Sequence, residues 1–95
     1  MEVLTLTLET PGDMAAGAAK RFKKTRNAKK INLKVLSEKS GVPYSTIRRF
    51  ESTGEISFLS FVKITSAIGE DDQISRLFTD IVPESIEEVI RGNRI

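Results

Sequence analysis

The sequence predicts an all-α chain of five packed helices, with a short β-strand in front and a short helix behind. Three observations carry this expectation. Apolar residues recur at helical spacing, beginning with Met14, Ala18 and Phe22 at i, i+4 and i+8. Cap and stop residues, among them Asn32, Gly41, Ser57 and Gly69, cut that pattern into segments of helical length. Clean period-two alternation is confined to residues 3–8. A content of 39% hydrophobic and 29% charged residues is that of a globular chain and argues against disorder.

In the opening strand, Leu4, Leu6 and Leu8 share one side while Val3, Thr5 and Thr7 share the other. A lone strand leaves its backbone unpaired, and the rest of the chain offers it no strand partner. The expected partner is the same strand of a second copy, antiparallel about a two-fold axis, giving a homodimer through residues 3–8. The alternative is a strand kept free for another protein's sheet. Thr10-Pro11 then starts a first helix, because proline is tolerated in the first turn and Asp13 complements the helix dipole. It runs to about Asn27.

Asn32 is the expected N-cap of a second helix, with Val35 and Leu36 inward and Gly41 as its stop. Val42-Pro43 opens a third helix through about Glu51, with Ile47 and Phe50 inward, and residues 52–54 form a turn. Ser57 caps a fourth helix whose apolar set is Leu59, Val62, Ile64, Ala67 and Ile68, ending at Gly69. Residues 71–78 make a fifth, packed through Ile74, Leu77 and Phe78. Beyond Pro83, Ser85 and Glu88 have capping-box spacing and start the last short helix. The division is a strand at 1–9, a helical domain at 10–79 and a tail at 80–95.

The absences narrow the function. Without Cys or His, the chain has no disulfide, no Cys/His zinc site and no Ser-His-Asp or Cys-His pair. No enzyme, cofactor or metal is expected. Ser60 and Lys63 match S-x-x-K formally, but its companion motifs are missing and the segment reads as a packing helix. Glu70, Asp71 and Asp72 lack the spacing of a calcium loop and read as acids at a helix start. The start of the chain does not read as a secretion signal, and no stretch approaches about 18 apolar residues. No membrane association is expected, and a cytoplasmic location is.

The net charge is only +2, yet it is strongly segregated. Between Lys20 and Arg49 lie eleven basic residues and one acid, Glu38, for a local charge of +10; the rest of the chain carries −8. A polyanion is drawn to that block and repelled by the remainder. A solvated helix face or a basic sorting signal would read alike, so the placement of the charges has to decide.

That placement is specific. Two short helices joined through residues 36–47 fit a helix-turn-helix: Gly41 supplies the left-handed turn residue, Val42 plugs the gap, and Leu36 and Ile47 hold the crossing. The second helix then offers Tyr44, Ser45 and Thr46, with Arg48 and Arg49 one turn on, to the base edges of a DNA major groove. Lys20, Lys23, Lys24, Lys29 and Lys30 read as a diffuse attractive field.

From about Ala18 to Phe78 the chain resembles the Xre/Cro, or lambda-repressor-like, helix-turn-helix domains. The likeness rests on Phe22 and Arg26, the Ile31-Asn32 helix entry, the run from Leu36 to Glu51, and the helix from Ser57 to Gly69. It implies that the helix at 44–51 is the recognition helix and that double-stranded DNA is the partner. It implies phosphate contacts from the helix starts at Asn32 and Ser57, and we extend that group of expected contacts to Leu33, Lys34, Lys23 and Lys24. It also implies an ion pair between Arg26 and Glu51 joining the first and third helices.

The chain departs from the family pattern at Leu33, where Gln is usual, at Ser37 for Ala, and at Pro43 for a Ser or Thr cap. Its 52–56 loop carries Glu55 and no basic residue. Residues 49–57 and the acidic tail look most like HipB-like antitoxins, usually encoded beside a HipA-like kinase toxin. The expected function is thus a DNA-binding transcriptional regulator, with repression as the expected sign. The alternative is an antitoxin that binds a toxin protein and autoregulates its operon. RNA binding is disfavoured by one Tyr and no Trp.

Overall fold

A computed structural model describes residues 8–80, and the described residues contain helices and no strand. They are α1 (Pro11–Ala28), α2 (Leu33–Ser40), α3 (Tyr44–Thr53), α4 (Phe58–Ala67) and α5 (Asp71–Ser75). The architecture is all-α. The expected strand at 3–8, the dimer built on it and the helix after Pro83 lie outside the described residues, except for Leu8, which is exposed.

Local chemistry explains where the helices begin and end. The Thr10 hydroxyl accepts from the Asp13 N–H, and the Asp13 carboxylate accepts from the Thr10 N–H, a full capping box ahead of Pro11. Asn32 Oδ1 accepts from Val35 N–H at 2.8 Å, and the Ser57 hydroxyl accepts from Ser60 N–H at 3.1 Å. Gly41 ends α2 with φ 76°. Helix α3 runs to Thr53, two residues past the expected end. The Ser52 and Thr53 hydroxyls both donate back to the Arg49 carbonyl, and the chain turns only at Gly54 (φ 87°).

The core is one cluster: Ala19 and Phe22 of α1, Leu36 of α2, Val42 of the connector, Ile47 and Phe50 of α3, and Ile64 with Ile68 from α4 and its end. Leu36, Ile47 and Ile64 are sealed completely. Phe22, Phe50 and Phe61 form an aromatic triangle with centroid separations of 5.5, 6.3 and 5.5 Å. Helix α1 packs on α3, and α2 packs on both α3 and α4.

Several expected core residues lie outside this cluster. Met14 is 54% exposed, because the buried stripe of α1 is Ala19, Phe22 and Arg26 at i, i+3 and i+7. One member of that stripe is charged, so a hydrophobic pattern places it wrongly. Val35 faces outward beside the sealed Leu36, and Leu59 sits in the exposed first turn of α4. Helix α5 stops at Ser75 instead of 78. Phe78 adopts φ 63°, which closes the turn and leaves its ring exposed, with Leu77 half-exposed beside it.

Charged groups tie the helices together. Arg26 donates through Nε and Nη2 to the two Glu51 carboxylate oxygens at 2.7 and 2.8 Å, and through Nη1 to the Ile31 carbonyl at 2.7 Å. Both side chains are almost fully buried, so the expected ion pair between the first and third helices is present as a bidentate one. Just past the end of α1, Lys29 donates to the Ile68 carbonyl and pairs with Glu70, each at 2.8 Å. The hydrogen bond from Lys29 holds the Glu70 carboxyl below its ordinary range, reinforced by Gln73. Glu70 and Asp72, expected as helix-start acids, are thus paired with Lys29 and Arg76.

Candidate nucleic-acid interface

Helix α3 is built from two faces. Ile47 and Phe50 turn inward and fix it on the core, while Glu51 fixes it to α1 through Arg26. What remains faces water: Tyr44, Ser45, Arg48 and Arg49 are exposed, and Thr46 is half-buried. All five residues expected to read bases therefore belong to one helix whose register is set by buried groups on its other face.

The connector that aims this helix is only three residues long, 41–43, with every backbone donor accounted for. Gly41 N–H donates to the Ser37 carbonyl, Val42 N–H donates to the Ser40 hydroxyl, and Pro43 has no N–H to satisfy. The Ser37 hydroxyl donates in turn to the Val42 carbonyl at 2.7 Å. Ser37, a departure from the resembled pattern, thus braces the turn. Pro43 occupies the N-cap position without a side-chain cap, and its carbonyl accepts from Thr46 and Ile47 N–H.

The start of α4 completes the surface. Ser45, Thr46 and Arg49 of α3 share a groove with Glu55, Ser57 and Ser60. Ser57, an expected phosphate contact, is therefore brought beside Ser45, Thr46 and Arg49, three of the residues expected to read bases. Its hydroxyl already accepts from Ser60 N–H, which makes it a cap first. Asn32 is likewise a cap, and Leu33 is half-buried against the core, so its side chain brings no polar group to that helix start. Lys34 on α2 and Lys23 and Lys24 on α1 are exposed and form no ion pair with another described residue. They do not join the α3–α4 groove.

One contact in the groove is invisible in the sequence. Arg49 Nη2 donates to Glu55 Oε1, although both side chains are about two-thirds exposed. Glu55 is held in place from behind: its N–H donates to the Thr53 hydroxyl at 3.0 Å, and that hydroxyl donates to the Arg49 carbonyl at 2.8 Å. Six residues separate the pair across a helix end, and such a spacing brings two side chains together only once the Gly54 turn is known. The turn is tight for a second reason, since Gly54 lies against the α1 backbone at Ala15 and Ala16.

Within the described residues no helix is long and apolar enough to cross a membrane. No protein-family model, curated protein or solved structure matches this chain.

Proposed function

We propose that this protein is a sequence-specific DNA-binding regulator of transcription, in which α2, the 41–43 connector and α3 act as a helix-turn-helix. The observation that carries the reading is the division of α3: Ile47, Phe50 and the Glu51 side chain are buried, while Tyr44, Ser45, Arg48 and Arg49 are exposed together. Such a helix can enter a major groove without rearranging the core, and its arginines can donate in pairs to guanine edges. The exposed lysines of the +10 block, Lys23, Lys24 and Lys34 among them, supply attraction that does not depend on sequence, whereas Lys29 is engaged by Glu70. Regulation follows from occupancy: base contacts choose the site, phosphate contacts fix the register, and a bound protein blocks polymerase.

The test is selection of duplexes from a random pool, followed by titration of the enriched sequence. Arg49→Ala and Tyr44→Ala are each expected to weaken the enriched duplex by about 1–3 kcal/mol and to relax its sequence preference. Lys23→Ala and Lys24→Ala should weaken enriched and shuffled duplexes alike, and flatten the salt dependence by roughly 0.9 per lost phosphate contact. Unchanged affinity and preference in Arg49→Ala would overturn the assignment of α3 as the reading helix.

A further inference from the structure

The geometry points to Glu55 as a specificity-determining residue, one that orients Arg49 for neutral base edges and withholds it from phosphates. The inference rests on the DNA-binding reading of α3. Among the described residues, Arg49 and Glu55 are the only charged ones lining the α3–α4 groove, and they are paired with each other. An approaching phosphate therefore meets no net charge there, and it meets a carboxylate that repels it. A guanine edge is different, because its O6 and N7 acceptors carry no formal charge.

Arginine has five N–H donors in a planar fork, and the Glu55 contact runs through Nη2 alone. A bidentate edge of the guanidinium stays open. The carboxylate also limits the rotamers of a long side chain, so less freedom is lost when that edge meets a base. The Thr53 hydroxyl anchors the Glu55 backbone to the end of α3, which fixes the point from which its side chain reaches Arg49. Arg48, by contrast, has no ion-pair partner among the described residues, so no carboxylate restricts which acceptors it meets.

The experiment compares the enriched duplex with a shuffled one for the parent, Glu55→Gln, Arg49→Ala and the double variant, across a salt series. Glu55→Gln keeps the side-chain shape at an exposed position, and helix content by circular dichroism checks the fold. Binding of Glu55→Gln to the shuffled duplex should tighten about fivefold, the scale of one exposed charge pair. Its salt slope there should steepen by roughly 0.9, one further phosphate contact. On the enriched duplex the relieved repulsion and the lost orientation of Arg49 oppose each other, so its affinity should change less than about twofold and the preference falls. In the Arg49→Ala background, Glu55→Gln should leave the preference where it was. Equal tightening on both duplexes, no change on either, or the same change without Arg49 overturns the role of Glu55. A parent that enriches no sequence overturns the DNA-binding reading itself, and this inference with it.

Discussion

Glu51→Gln is expected to destabilise the fold by about 3–5 kcal/mol, because it leaves the Arg26 guanidinium buried without a counter-charge. The pair is bidentate, and its side chains are only 6% and 5% exposed, so water cannot take the place of the lost carboxylate. Total stability for a domain of this size is on the order of 5–15 kcal/mol, which makes this a large share. Arg26→Met should cost a similar amount, since it strands Glu51 and also removes the donor to the Ile31 carbonyl. A double change to Met and Leu should recover much of the loss, because two apolar side chains desolvate without penalty. Urea unfolding followed by circular dichroism measures all three. A Glu51→Gln protein melting with the parent would show that the pair contributes nothing.

The second large effect is expected at Gly54. Its φ of 87° is left-handed, and a Cβ there would sit 2.7 Å from the Ala15 carbonyl carbon and 2.8 Å from Ala16 N. Those are backbone atoms of α1 and cannot swing aside. Gly54→Ala is expected to lose about 2–5 kcal/mol, combining the left-handed penalty with forced overpacking. Gly41 is the control: its φ is 76°, but a Cβ at that position would meet nothing within 4 Å. Gly41→Ala should therefore cost only the conformational term, about 1–2 kcal/mol. Equal losses at the two positions would mean that the packing of the 54 turn against α1 is unimportant.

The parts of the fold legible in the sequence are those set by local chemistry. The caps at Asn32 and Ser57 and the stop at Gly41 each depend on a side chain reaching its own backbone, or on one φ value, and they fall where expected. Central core positions such as Leu36, Ile47 and Phe50 follow from helical spacing within short segments. What the sequence misplaces depends on tertiary direction. Met14 and Ala19 stand about 140° apart around the helix axis, and only the packing of α1 on α3 decides which is buried. Phe78 reads as a packing residue until its backbone turns left-handed. At the candidate interface, the exposed face of α3 is readable because its anchors alternate with polar residues. The Arg49–Glu55 contact is not, because it joins two ends of a turn.

On the proposed reading of α3 as a DNA-binding helix, the connector between α2 and α3 also bears on the thermodynamics of association. Its donors are all satisfied within the free protein, by Ser37 and Ser40, and its last residue is a proline with φ fixed at −56°. The segment is therefore preorganised. A loose connector would surrender conformational entropy on docking, about 1–2 kcal/mol for each residue ordered. Here that loss is met during folding, so the heat-capacity change on binding should reflect surface burial without a coupled-folding contribution.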